Sequence, residues 1–204
     1  MKGIERLTLK VNFLLALIVL LPTSVQASNK VSSPDVTKDK VELEYRGGYD
    51  IDEDDNKDGN QLHKFVANYG LTDRWRMETK GILAESSKGY DWTALEWSNR
   101  FQILKGDEGL PKLSIQGNYK FSLQSGKPDK FEATVLMSKD MGSLTHVTNI
   151  NFENEVGSYA KDGTDFNVRW KTKYRYRPSF EPGVELFMDF GKFGTETSGP
   201  RKYQ

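Results

Sequence analysis

The sequence predicts an all-β protein: an antiparallel, up-and-down transmembrane β-barrel of about ten or more strands in its complete form, with no significant helix after the N-terminal leader. Three observations predict it. Apolar and polar residues alternate through almost the whole chain from residue 40 on, the connections between the alternating stretches swing between short and long, and the first 27 residues have the layout of an export signal. The chain is polar on average, with mean hydropathy −0.66 and 36% hydrophobic residues, yet 12% of its residues are aromatic. A barrel wall in lipid reconciles these values, because only every second residue has to be apolar.

The alternation is clearest in residues 166–177, FNVRWKTKYRYR. Phe166, Val168, Trp170, Thr172, Tyr174 and Tyr176 fall on one parity, and Asn167, Arg169, Lys171, Lys173, Arg175 and Arg177 on the other. Interleaved basic and aromatic residues also suit a nucleic-acid surface. Twenty-nine basic residues balanced by 29 acidic ones argue against that partner, since a dedicated binder is basic overall. A strand with one greasy and one wet face is the reading left.

Eight further stretches carry the same period. Val41, Leu43 and Tyr45 oppose Glu42, Glu44 and Arg46; Phe65, Ala67 and Tyr69 oppose Lys64, Val66 and Asn68; Trp75, Met77 and Thr79 oppose Arg74, Arg76, Glu78 and Lys80. Leu95, Trp97, Phe101 and Ile103 oppose Glu96 and Arg100, and Ile115, Tyr119 and Phe121 oppose Gln116, Asn118 and Lys120. Phe131, Val135 and Met137 oppose Glu132 and Thr134; Ile150 and Phe152 oppose Asn149 and Asn151; Val184, Leu186, Met188 and Phe190 oppose Glu185 and Asp189. Nine strands result, several near the roughly 9–11 residues that cross a bilayer when tilted. Residues 70–73, 141–143 and 178–183 read as tight turns, and residues 50–60, 85–89, 124–129, 157–164 and 191–199 as longer loops. That alternation matches short periplasmic turns and long extracellular loops.

The N-terminus sets the compartment. A basic start is followed by the apolar run VNFLLALIVLL at residues 11–21 and by Val25-Gln26-Ala27, a small-residue cleavage site. This is the pattern of a Sec signal peptide, and the run is shorter than the about 20 residues of a membrane-spanning helix. The expected organisation is a signal peptide over 1–27, a flexible periplasmic leader over 28–39 and a β-barrel domain over 40–204. The tenth strand has barely begun at residue 204, so the domain is expected to be incomplete at its C-terminus. The expected location is the outer membrane of a Gram-negative bacterium. The chain has no cysteine, so no disulfide contributes.

Tyr69-Gly70-Leu71-Thr72-Asp73-Arg74-Trp75 resembles the strand–turn–strand of many Gram-negative outer-membrane barrels, among them uncharacterised proteobacterial proteins and the channel-like family associated with phenol degradation. Residues 148–157, TNINFENEVG, and Gly183-Val184-Glu185-Leu186 resemble later strands of the same proteins. The resemblance implies a barrel inserted by the barrel assembly machinery into outer-membrane lipid. Proteins of this kind usually end in a strand with a terminal aromatic, whereas Gln204 follows Tyr203 here.

The candidate site is the polar column. On the barrel reading Arg74, Arg76, Glu78, Lys80, Glu96, Arg100, Arg169, Lys171, Lys173, Arg175, Glu185 and Asp189 line the lumen. Rings of charge select the solute in a pore, and a small solute is the expected passenger. The same column also fits a packed ladder of ion pairs that only fills the barrel. Asp54, Asn56 and Asp58 match the first half of a calcium loop, with Gly59 at its turn, but Phe65 stands where the bidentate Glu belongs. Calcium is the one cofactor the sequence offers. His63 and His146 come with no nucleophile elbow and no metal-ligand spacing, so no enzyme is expected. Periodicity leaves one alternative: a soluble periplasmic β-sandwich or lipocalin-like domain in which the aromatic parity turns inward around an apolar ligand.

Overall fold

The computed structural model describes residues 30–49, 59–86, 89–106, 109–193 and 202–203. The alternating stretches form β1 (Val41–Tyr49), β2 (Gln61–Gly70), β3 (Trp75–Ser86), β4 (Gly89–Lys105), β5 (Lys112–Ser122), β6 (Asp129–Met141), β7 (Leu144–Val156), β8 (Thr164–Tyr174) and β9 (Gly183–Phe193). A two-residue β10, Lys202–Tyr203, pairs with Asp189 and Met188 of β9. Every strand runs antiparallel to its sequence neighbours in one sheet of order β1 to β10, and no helix occurs among the described residues. The sheet curls into a half-barrel, in which β1 contacts β2 alone among the strands.

The faces follow the sequence parity. The convex face carries Leu43, Phe65, Trp97, Ile115, Phe131 and Leu186, all exposed, with Leu43 at 80%. The concave face buries Val66, Ile82, Ala94, Leu136 and Val147 beside Asn68, Ser98, Arg100, Gln102, Ser114, Thr134, Asn149 and Asn151. The aromatic parity therefore stands on the exposed, convex side of these strands.

Three bulges adjust the pattern. Ile82 faces Ala94 but Leu83 faces Trp92, which leaves Thr93 as the extra residue of β4. A bulge flips the side-chain parity beyond it, so Trp92 joins the convex face although it differs in parity from Trp97. There it packs over Gly81, where a Cβ would meet the indole at 2.6 Å, and lies 5.8 Å from the Phe65 ring. Ile103 and Phe190 are the extra residues of the other two bulges.

Two expectations change. The short–long alternation of connections is not kept: β3 and β4 pair to their ends at Ser86 and Gly89, leaving only residues 87–88 between them, while residues 175–182 make a longer link from β8 to β9. Gly142-Ser143 between β6 and β7 is a link of two residues as well, where Gly142 takes φ +60° as a two-residue hairpin requires. The second change concerns the leader. From Lys30 on it is not a free tether; it lies against the concave wall with Val31, Pro34 and Val36 buried. Asp39 N–H donates to the Gly70 carbonyl at 2.8 Å and Gly70 N–H to the Lys40 carbonyl at 3.0 Å, fixing its end against β2. A polar segment meets a polar wall there, and hydrogen bonds replace the water that would have kept it loose.

Candidate functional site: the polar concave wall

The inward parity of eight strands converges on one polar surface. Across β1, β3 and β4 the charges alternate in sign. Arg76 lies 3.5 Å from both Glu42 and Glu78, Lys80 lies 3.9 Å from Glu78, and Lys80 also bonds Glu96. The register sets this row, since Arg76 pairs with Arg100, Glu78 with Ser98 and Lys80 with Glu96. Neighbouring strands thus bring their long side chains to the same height, where opposite charges offset the cost of leaving water.

From β4 to β8 the row continues through neutral groups. Arg100 Nε donates to Gln116 at 2.6 Å, Gln116 to Asn118 at 2.7 Å, and Asn118 to Glu132 at 2.6 Å. Glu132 lies 3.7 Å from Arg169. Beside it Thr134 donates to Asn151 at 3.0 Å, and Asn151 donates to Asn167 at 2.8 Å. Such a chain satisfies nearly every buried polar atom it contains. Asn68 Oδ1 and Arg76 Nε are buried without a hydrogen-bond partner among the described residues.

The N-terminal segment spans this wall as a strap. Asn149 accepts from Ser32 N–H at 2.7 Å and donates to the Ser32 carbonyl at 2.8 Å. Arg100 donates to the Ser33 carbonyl, Ser114 Oγ to the Pro34 carbonyl at 2.5 Å, and Val36 N–H to Gln102 at 3.2 Å. Asp35 pairs with Lys112 at 2.7 Å, and Lys30 with Glu44 at 2.6 Å. Burial alone would raise the Asp35 carboxyl, but hydrogen bonds from Lys112 and Ser33 and the charges of Lys112 and Arg100 hold it below its ordinary value. Two polar cavities of ≈ 480 Å³ each remain, and strap residues Ser33 and Asp35 line both. One is walled by the alternating charges of β1–β4. The other lies near the β4–β5, β6–β7 and β8–β9 connections and is mostly basic, with Lys112, Lys139, Lys171, Lys173 and Arg175 against Asp35 and Asp140.

Of the residues expected to line a lumen, Arg76, Glu78, Lys80, Glu96, Arg100 and Arg169 meet on this surface. Lys171 pairs with Glu185 at 2.7 Å and Lys173 with Glu181 at 2.5 Å, toward the turn end. Three others lie apart. Arg74 belongs to the exposed β2–β3 turn and donates to the Ile103 carbonyl at 3.0 Å, because the strand begins only at Trp75. Arg175 lies beyond the end of β8 and pairs with Asp140 at 3.0 Å on the rim. Asp189 is exposed on β9 and accepts from Gly191 N–H at 2.9 Å. Asp54, Asn56 and Asp58 fall outside the described residues, and no cluster of metal-ligating side chains occurs among the described ones. His63 contacts Tyr45 at 2.7 Å and His146 contacts Thr172 at 2.6 Å, both among convex-face aromatics.

Sequence reasoning missed the strap. Its own residues have no period, but the wall carried a sign of it. Gly70 occupies an inward position of β2, and glycine inside a strand marks a close backbone approach. A Cβ there would stand 1.9 Å from the Thr37 carbonyl oxygen. No known protein family, curated protein or solved structure matches this chain.

Proposed function

We propose that this chain is an outer-membrane β-barrel protein, a small porin-like channel or structural barrel with a charged lumen. The observation that carries the reading is the distribution of the two parities. Aromatic and aliphatic side chains stand exposed along the convex face, while the concave one holds buried amides such as Asn149 and Asn151 and part-buried ion pairs such as Lys80 with Glu96. A water-soluble sheet puts its apolar face inward, so this arrangement calls for an apolar solvent outside. Exposed aromatic or aliphatic residues recur on β1, β2 and β4 to β9, where a soluble monomer scatters such residues singly. In lipid the β1 and β9 edges must also be paired, because unsatisfied backbone groups there cost several kcal/mol each. The export signal of residues 1–27 supports the same location, with lipid and the assembly machinery as partners and a small solute as the passenger.

Membrane fractionation of the expressed protein tests the reading, followed by gel migration with and without boiling. Outer-membrane enrichment with a heat-dependent shift is the expected result. Recovery in the soluble periplasm without detergent would overturn it and restore the soluble apolar-ligand domain.

A further inference from the structure

The wall under the strap is built to read a polypeptide backbone. Asn149 offers residue 32 one acceptor and one donor, as a neighbouring strand would. Arg100, Ser114 and Gln102 take the backbone groups of the next residues in turn. These wall side chains are 5% exposed or less, so each is committed to its partner. Side-chain identity enters at three places. Pro34 is fully buried, Asp35 meets Lys112, and Gly70 leaves room for the Thr37 carbonyl. Five backbone groups of residues 32–36 are thus taken by four buried wall side chains, more specific pairing than a segment that merely filled space would need.

We infer that the concave wall is a binding site for an extended polypeptide with a Ser-Ser-Pro-Asp core, filled in cis by residues 31–36. The site stands on hydrogen bonds and burial alone; that its filling blocks passage through the trough rests on the channel reading above. An emptied wall joins the two cavities that the strap lines, and it takes the same peptide from solution.

The test uses Ser114→Cys in the full chain, which has no other cysteine. Ser114 is fully buried beneath Pro34, so a polar maleimide modifies its replacement slowly. Two variants release the strap by different means: Gly70→Ala, whose methyl group collides with the Thr37 carbonyl, and Asp35→Lys/Val36→Lys, which faces Lys112 and Arg100 with like charge. Each is expected to raise the modification rate by about tenfold or more with the far-UV β signal unchanged. A peptide of residues 30–39, KVSSPDVTKD, then restores protection when added at a few millimolar, about the effective concentration that a short tether supplies. A scrambled peptide does not. Fast modification of the parent, continued protection in both release variants, or equal rescue by the scrambled peptide would each overturn the inference. The same variants in planar bilayers separate the two readings. Higher conductance on release supports both, and no conductance in any variant, with protection behaving as expected, retires the channel and leaves the peptide site standing.

Discussion

The two faces of this sheet are made by the same strands and differ in everything else. On β4, Leu95 and Trp97 stand out from the convex side, 49% and 41% exposed, while Ser98 and Arg100 are 2% exposed on the other. The convex contacts are ring on ring: Trp75 on Phe101, Tyr119 on Phe121, Phe152 on Phe166. The concave contacts are charge on charge and amide on amide. Polar groups set among the outer rings are satisfied locally: Asn99 accepts from Trp75 Nε1 at 3.0 Å, and His146 contacts Thr172 at 2.6 Å. The difference teaches where the specificity of the fold resides. The outer face needs only to be apolar, whereas the inner face needs each residue to meet a particular partner, so substitutions on the two faces should fail in different ways.

The sharpest way to break the comparison is to remove half of an inner pair. Lys80→Met leaves the part-buried Glu96 carboxylate without its bonded cation. Breaking one partner of a fully buried pair costs about 3–5 kcal/mol, which bounds the loss here, whereas replacing both by apolar residues is often near neutral. Urea unfolding of Lys80→Met and of Lys80→Met/Glu96→Leu, both in lipid vesicles, should therefore show a large loss in the single variant and recovery in the double. Equal losses in both would mean that the row contributes through its shape and not through its charge.

The outer face answers to a different probe. Leu95→Arg puts a charge on the convex side at mid-strand. If that side faces hydrocarbon, the cost in vesicles is about 2–4 kcal/mol near the midplane and falls toward the interfaces. If it faces water, the change is within about 0.5 kcal/mol, as for an ordinary surface position. Leu43→Arg, on edge strand β1, gives a second depth. A pair of flat results would place water on the convex face and reverse the contrast on which the proposed location rests.

How much of this was legible beforehand follows from the same contrast. The outer face could be read directly, because a requirement for apolarity at every second residue leaves a period in the sequence. The nine strands and their parities follow from it, with β10 as the start of a tenth. The bulge at Thr93 was not legible in that way: an alternation that breaks between Trp92 and Trp97 looks the same whether the chain leaves the sheet or slips one residue within it. Arg74 and Arg175 continue the basic columns in parity but lie past the strand ends, and parity carries no information on where pairing stops. The inner face was legible as a column of charges but not as a set of partners, because those depend on register. The strap depended on recognising that Asn149, Gln102 and Ser114, ordinary polar residues of a wet face, are spent on a segment more than 60 residues away in the chain.

The smallest expected effect concerns acid, and it separates two carboxylates that look alike. Asp35 and Asp73 are both held below their ordinary value, and each pairs with a lysine at 2.7–2.8 Å. Asp73 lies on the exposed β2–β3 turn, where its hydrogen bond with Lys105 is the main cause, and solvent screens such a pair. Asp35 sits half-buried on the strap, so its ionisation is tied to docking. A carboxyl whose docked value is lower than its free one favours the docked strap at every pH above 3.8, and that contribution is lost as pH falls through the docked value. A spin label on Ser32→Cys, whose printed bonds to the wall are made by its backbone, should therefore become more mobile as pH drops from 6 to 3, with most of the change below 3.8. Asp35→Asn should flatten that profile at an intermediate mobility, while Asp73→Asn leaves it in place. A profile that survives Asp35→Asn would assign the acid response to groups of the wall and not to Asp35, and make the strap a passenger on them.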